Sequence, residues 1–242
     1  MKPEVYAALL DLNRTFYMRF AGDFARTRQS WPPGYAAILP HLRGAANVLD
    51  LGCGNGRFLA YLAGQGWRGR YVGLDGSAGL LAEAQQLAAA TDGIAARFVQ
   101  ADLLAATWPL AVDDRFDALV CLAVLHHIPT AASRRRLLAE AAGLLAPDGR
   151  LIVSTWQFMT SARLRRRVLP WETVGLSADD VGAGDHLVAW GEAAAGRRYC
   201  AFIDEAELQR LAEDAGLRAV ATFRADGHEG NLNLYGVYAT AR

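Results

Sequence analysis

The chain has 242 residues, enough to bury one substantial core, and its 25 basic and 25 acidic residues give a formal charge of zero. That balance excludes the global positive field of a dedicated nucleic-acid binder, so a polyanionic partner would need a local patch. The three cysteines, Cys53, Cys121 and Cys200, are odd in number and two of them lie in apolar runs, which argues against a disulfide framework. With no amino-terminal signal core and no apolar run of about 18 residues, a cytoplasmic protein with no membrane partner is expected.

Leu9, Leu12, Phe16, Phe20 and Phe24 keep a helical period from Tyr6 to about Phe24, Pro32-Pro33 interrupts it, and a second helix runs through Ile38. Short apolar runs then alternate with helical patterns. Strands are expected at Asn47 to Leu51, Tyr71 to Leu74, Ala96 to Val99, Ala118 to Leu122 and Leu151 to Thr155. Among the intervening helices are Ser77 to Ala90, with Ser77 as N-cap, and Ser133 to Leu145, which stops before Pro147-Asp148-Gly149. Strict alternation implies a parallel sheet with right-handed crossovers. Gln157 to about Cys200 has no clear period and reads as an insertion over the sheet. A helix from Asp204 to Ala215 follows, and the runs Ala219 to Phe223 and Leu232 to Ala239 suit a hairpin at the sheet edge. The fold expected is α/β: a doubly wound, mostly parallel, seven-stranded Rossmann-like sheet with an antiparallel edge hairpin. It forms one domain over 1–242, with 1–43 as a helical cap and 157–202 as a lid or substrate insertion.

The chemistry concentrates where the first strand enters a glycine loop: Asp50-Leu51-Gly52-Cys53-Gly54-Asn55-Gly56-Arg57. Arg57 stands where the dinucleotide fingerprint would need its third glycine, which argues against NAD. Asp75 ends the second strand about twenty residues past Gly54, the interval at which a carboxylate accepts both hydroxyls of a ribose. Gly76 and Ser77 form the turn behind it. Asp102-Leu103 follows the third strand, so three acids end three successive strands. Leu122 and Ala123 leave the fourth strand ahead of His126-His127. Adjacent side chains diverge, and no Cys, His or acid stands nearby at ligand spacing, so no metal site is expected. No Ser-His-Asp order, His-Glu-x-x-His or Walker lysine is visible.

The glycine loop resembles motif I, Asp-x-Gly-x-Gly-x-Gly, of the class I S-adenosylmethionine (AdoMet) methyltransferases. The resemblance implies that AdoMet is bound and S-adenosylhomocysteine released. It implies that Asp50, Gly52, Cys53, Gly54, Asn55 and Gly56 face the methionine part, that Asp75, Gly76 and Ser77 face the ribose, that Asp102 and Leu103 face the adenine, and that Leu122 and Ala123 contact the cofactor through backbone. Such transfer is an in-line displacement on an activated electrophile, served mainly by positioning and exclusion of water. A non-catalytic binding subunit of the same fold is the alternative of a different class.

Narrower pieces are similar to the tRNA wobble-uridine carboxymethyl methyltransferases: Thr27-Arg28 followed by Trp31-Pro32, His126-His127 with Arg134-Arg135-Arg136, Leu145-Ala146-Pro147-Asp148-Gly149, and Arg197-Arg198-Tyr199-Cys200-Ala201-Phe202. This resemblance implies methyl transfer to a carboxylate oxygen, with tRNA as acceptor and, in some relatives, a small zinc-binding activator subunit as partner. A small-molecule acceptor is the rival. A carboxylate is an anion that guanidinium groups hold bidentately, and it needs no base at neutral pH. Arg28, Arg197 and Arg198 are therefore candidates to hold the acceptor or the cofactor carboxylate. His126 is placed near the acceptor, and Tyr17 and Tyr199 are lid groups. Arg163-Leu164-Arg165-Arg166-Arg167, with Trp156, Trp171 and Trp190 around it, is a candidate basic patch for phosphates, and Arg134 to Arg136 are expected on the outside of a crossover helix.

Overall fold

The computed structural model describes residues 1–26, 30–112, 114–191 and 195–241, with the side chains of 21 and 23–26 left out; Phe24 as a side chain and Arg28 altogether lie outside the described residues. Helix α1 (Pro3–Arg26) and the short α2 (Pro33–Ile38) precede a sheet built from β1 (Asn47–Leu51), β2 (Gly69–Asp75), β3 (Ile94–Gln100), β4 (Phe116–Leu122), β5 (Leu145–Trp156), β9 (Leu217–Ala225) and β10 (Asn233–Thr240). Its order is β3-β2-β1-β4-β5-β10-β9. The first five strands are parallel, and β10 runs antiparallel to both β5 and β9. The chain reverses its strand order between β1 and β4, the switch at which open α/β sheets bind ligands at the carboxyl ends of their strands.

The central strands are apolar on both faces because helices cover both. Period-two alternation sends Leu49, Leu51, Leu119 and Cys121 to one side, where α1, α5 (Ala131–Gly143) and α7 (Glu205–Asp214) bring Leu9, Leu137, Leu138, Leu208 and Leu211. Val48, Ala118 and Val120 face the other side, packed with Ile38 of α2 and with Phe58, Leu59 and Leu62 of α3 (Arg57–Gly64). Helix α4 (Ala78–Ala89) starts, as expected, at Ser77, whose hydroxyl accepts from the Leu80 amide at 3.4 Å.

Three expectations are corrected. Helix α5 is capped by Thr130 and not begun by Ser133: the Thr130 hydroxyl accepts from the Ser133 amide, so Ser133 lies inside the first turn. Arg134 is not an outer decoration, being 6% exposed with its guanidinium bonded to the Ile128 carbonyl and paired with Glu207 at 3.1 Å. The insertion has regular structure. After α6 (Ala162–Arg165), strands β6 (Val168–Leu169), β7 (Asp185–Trp190) and β8 (Gly196–Ala201) form an antiparallel sheet. Its strands put Val188 and Cys200 into a local cluster with Phe158 and Leu164, and send Leu187 and Tyr199 to the main core. Charged neighbours such as Asp185, Arg197 and Arg198 hide that alternation in the sequence.

The segment that leads into the sheet is pinned to its far hairpin. The Asp226 carboxylate, 4% exposed, accepts from the Gly34 amide at 2.7 Å, the Tyr235 hydroxyl at 2.6 Å and Asn233 at 2.7 Å. A Cβ on Gly34 would lie 2.3 Å from the Tyr235 ring. Gly34→Ala should therefore force the ring or α2 to move and cost about 1–3 kcal/mol, read as a fall of several degrees in the melting midpoint.

Candidate active site

The loop after β1 is shaped by close approaches. Gly52 (φ +75°) and Gly56 (φ +78°) adopt left-handed backbone, and a side chain on either would strike a neighbour: Val124 at 2.3 Å from a Cβ on Gly52, Ala84 of α4 at 3.1 Å from one on Gly56. Gly54 (φ +55°) differs, since a Cβ there would meet nothing within 4 Å. The loop thus shows open space only at its middle glycine. Behind it Cys53, 7% exposed, packs against Gly73 of β2, and burial pushes its thiol pKa far up. Asn55 bonds Glu83 of α4 at 3.4 Å.

Asp75 organises the next turn. One carboxylate oxygen accepts from the Gly54 amide at 2.9 Å and the other from the Ser77 amide at 2.8 Å, so it ties the glycine loop to the start of α4. Burial raises its pKa, and the amides of Ser77, Gly54 and Gly76 pull it back. Gly76 is exposed beside it. Asp102, also exposed, accepts from the Leu104 amide at 2.9 Å and so folds the chain back on itself at Leu103.

Asp50 lies elsewhere. It shares the face of Val48 by strand alternation, is 3% exposed, and accepts a hydrogen bond from the buried Tyr71 hydroxyl. Burial lifts its pKa to about 7 against the opposing hydrogen bond. This carboxylate is a core group under the loop.

At the exit of β4, Leu122 is half-buried and Ala123 takes φ +59°, a left-handed conformation that L side chains rarely adopt. The Ala123 amide donates to the Ser154 hydroxyl at 2.9 Å and the Ser154 carbonyl at 3.2 Å, which holds the turn. His126 is 3% exposed, and its Nδ1 accepts from the Trp156 amide at 3.3 Å. His127, the second of the pair, is half-buried and meets Tyr17 of α1, hydroxyl to Nε2, at 2.8 Å. The divergence expected of adjacent side chains is corrected here: the short turn of the segment brings the two imidazole rings to 4.3 Å, and both lie at this end of the sheet.

The insertion closes this end. Arg198 of β8 is 5% exposed, its guanidinium 5.2 Å from the Phe16 ring of α1 and 4.9 Å from the Trp156 ring at the end of β5. Arg197 points the other way along β8, exposed, and donates to the Thr173 carbonyl at 3.0 Å. The Tyr199 phenol does not reach the site: fully buried, it donates to Asp185 at 2.6 Å, and burial together with that carboxylate raises its pKa. Its backbone is what faces the histidines. The structure thus gathers Tyr17, His126, His127, Trp156 and Arg198 at one end of the carboxyl edge, and the glycine loop, Asp75 and Asp102 at the other.

Comparison with known proteins then decides the family, because residues 24–222 match a methyltransferase domain family. The chain belongs to that family. It is an enzyme of the class I methyltransferase fold. A methyltransferase of Encephalitozoon cuniculi (strain GB-M1) is 28% identical over 207 residues, covering 85% of this chain and 86% of its own length. The tRNA (carboxymethyluridine(34)-5-O)-methyltransferase ALKBH8 of Macaca fascicularis is 31% identical over 140 residues, which are 58% of this chain but only 19% of that longer protein. Among solved structures, the Burkholderia thailandensis 1,6-didemethyltoxoflavin-N1-methyltransferase, with its acceptor and S-adenosylhomocysteine bound, aligns with a TM-score of 0.67 at 24% identity over 100% of this chain and 92% of its own. Among the described residues no helix is long and apolar enough to cross a membrane.

The raised pKa of Asp50 makes the fold of the enzyme pH-dependent. The unfolded chain releases this proton near the ordinary carboxylate value of 3.8, whereas the folded one holds it to about 7. The group's favourable contribution is therefore complete below pH 4, erodes between pH 4 and 7, and is gone above 7. Asp50→Asn, which keeps the partner for Tyr71 and cannot ionise, should erase that slope: the stability difference between variant and parent should grow in the variant's favour from pH 4 to 7 and level off beyond it, as measured by denaturant midpoints.

Proposed function

We propose that the enzyme transfers a methyl group from AdoMet to an oxygen of a carboxylate acceptor, with residues 1–242 acting as one domain in which 1–43 is the cap and 157–202 the substrate wall. The observation that carries this reading is the division of the carboxyl edge into an acidic, glycine-lined end and an end with a buried guanidinium. The open space at Gly54 fits the methionine part, with Gly52, Cys53, Asn55 and Gly56 shaping the loop around it. Asp75 has lone pairs beyond those used by the loop amides and is placed to take ribose hydroxyls. Gly76 and Ser77 frame that contact, Asp102 and Leu103 serve the adenine, and Leu122 and Ala123 form the floor. AdoMet supplies a methyl carbon already activated by its sulfonium. The protein's part is to orient the acceptor, exclude water and leave one acceptor oxygen free for in-line attack.

Arg198 is the residue for that task at the other end. A guanidinium set between two aromatic faces is rigid and poorly hydrated, which suits bidentate capture of a carboxylate. An ionised carboxylate brings no proton to remove, so no protein base is required. tRNA as acceptor is supported by the name of the macaque relative and by the exposed side chains of Arg163, Arg165 and Arg166 on the insertion. A small-molecule acceptor is supported by the Burkholderia structure, which aligns over the whole chain. The three cysteines are free and buried, in keeping with a reducing, cytoplasmic setting.

Three experiments test the reading. Asp75→Ala should weaken AdoMet binding about 10- to 100-fold by calorimetry, as expected for charged hydrogen bonds, while far-ultraviolet dichroism is retained; unchanged affinity removes the ribose role. Incubation with methyl-labelled AdoMet and either total tRNA or a panel of small carboxylic acids should give a product that releases methanol in mild alkali, as an ester does. An alkali-stable methyl group would rule out the carboxylate. Neutralising Arg163, Arg165 and Arg166 together should lower the salt slope of tRNA binding by up to about 3 if they contact phosphates.

A further inference from the structure

Asn13, on α1 and 7% exposed, clamps two other elements at once. Its Nδ2 donates to the His127 carbonyl at 3.0 Å, and its Oδ1 accepts from the Tyr199 amide of β8 at 2.9 Å. One helical turn further along α1, the Tyr17 hydroxyl lies 2.8 Å from His127 Nε2, with the two rings edge to face. On the opposite side of the imidazole, Nδ1 lies 3.2 Å from the Tyr199 carbonyl oxygen and 3.8 Å from Cys200 Sγ. A carbonyl oxygen only accepts, so the hydrogen belongs on Nδ1. In the neutral ring Nε2 is then an acceptor, and Tyr17 is the donor to it.

We propose that His127 is a positioning residue for methyl transfer: fixed by Asn13 and the Tyr199 carbonyl, it draws the Tyr17 proton toward itself, so that the phenol presents oxygen lone pairs to the acceptor. The inference rests on the carboxylate reading above. A carboxylate oxygen that accepts a hydrogen bond has a lone pair engaged and attacks less readily. Tyr17 with its proton turned to His127 leaves that oxygen unengaged while still excluding water from it. Protonation of His127 reverses the arrangement, because Nε2 becomes a donor and Tyr17 must accept from it, turning its own O–H outward. The groups around the imidazole are Tyr17 from α1, the Tyr199 carbonyl and the Cys200 thiol from β8 with Arg198 preceding them, and the His126 ring at 4.3 Å on its own segment.

The test combines imidazole nitrogen shifts by NMR with kinetics. In the unsubstituted protein at neutral pH, His127 should show a protonated Nδ1 and an unprotonated Nε2, and Tyr17→Phe should shift Nε2 alone. His127→Leu should lower kcat about tenfold, the worth of one hydrogen bond, with AdoMet affinity held within about twofold. His127→Gln, whose amide oxygen can accept from Tyr17 but does not titrate, should recover most of kcat and abolish the imidazole limb of the pH profile. The opposite tautomer, or an acid limb in the imidazole range at about 6.5 that persists in His127→Gln when only the limb of the acceptor carboxylate at about 4 should remain, overturns the proposal even if His127→Leu fails to fold. Failure of the parent reading is seen separately, as an alkali-stable product from the unsubstituted enzyme.

Discussion

One carboxylate joins the parts of the donor end. Asp75 ends β2, yet its two oxygens are held by amides from different connections, Gly54 in the turn after β1 and Ser77 at the start of α4. Strand pairing sets this up, since β1 and β2 run parallel in register from Asn47 opposite Arg70 to Leu51 opposite Leu74, and the Gly52 and Cys53 amides continue the ladder onto the Leu74 carbonyl at 2.7 and 3.0 Å. The loop can then turn only through left-handed backbone, which is why glycines stand at 52, 54 and 56. Asp75 is thus the keystone of the loop, and the role proposed for it towards a ribose would use the lone pairs that the loop amides leave. Burial pushes the pKa of this carboxylate up, and the amides that hold it work against that rise.

Much of this end was legible in the sequence because its constraints are local: a glycine at positive φ, an acid one strand later and a serine cap are each fixed by a few neighbouring residues. The acceptor end was not, because it is assembled across long separations. Asn13 meets His127 and Tyr199, and Arg198 meets Phe16 and Trp156, none of them near in the chain. Tyr199 was assigned to chemistry from a short motif, but its side chain points to the face of β8 that packs into the core, and only its backbone reaches the histidines. The His-His pair was legible as a pair, but the partners of His127, Tyr17 on α1 and the Tyr199 carbonyl on β8, lie too far away in the chain to be read from it. The small sheet of the insertion was hidden because its strands are packed on both faces, Leu187 and Tyr199 into the main core and Val188 and Cys200 into a local cluster, and the adjacent Arg197 and Arg198 interrupt any period of two.

The connection that carries the histidines is strained at both ends. Ala123 has φ +59°, and Thr130 has φ +64° with ψ +139°, a region nearly reserved for glycine. Each strained residue is over-determined by hydrogen bonds: Ala123 by Ser154, Thr130 through its hydroxyl contacts with Ser133, which in turn meets Tyr6 of α1 at 3.1 Å. Asn13 and Tyr17, also on α1, both bond His127 within this connection, while Tyr6 meets Ser133 just beyond it in α5. Displacing α1 would therefore break the bonds that hold the histidine segment, so the position of the helix and the conformation of that segment are coupled.

The separation of charge along the carboxyl edge bears on why such a site can work without an acid or a base. Asp75 and Asp102 stand at the end where β2 and β3 finish, and Arg198 stands beyond β4 and β5. A cationic methyl donor and an anionic acceptor drawn to opposite ends would each be stabilised where they bind, yet their reacting atoms would meet in the middle, over Leu122 and Ala123, where the wall is backbone and aliphatic carbon. There the two charges neutralise each other as the new bond forms. A surrounding of low polarity favours that collapse of charge over the separated ground state, whereas a strongly hydrogen-bonding group at the midpoint would oppose it. On the reading proposed above, the apolar floor between the two charged ends would contribute to the transfer as much as the charged residues do.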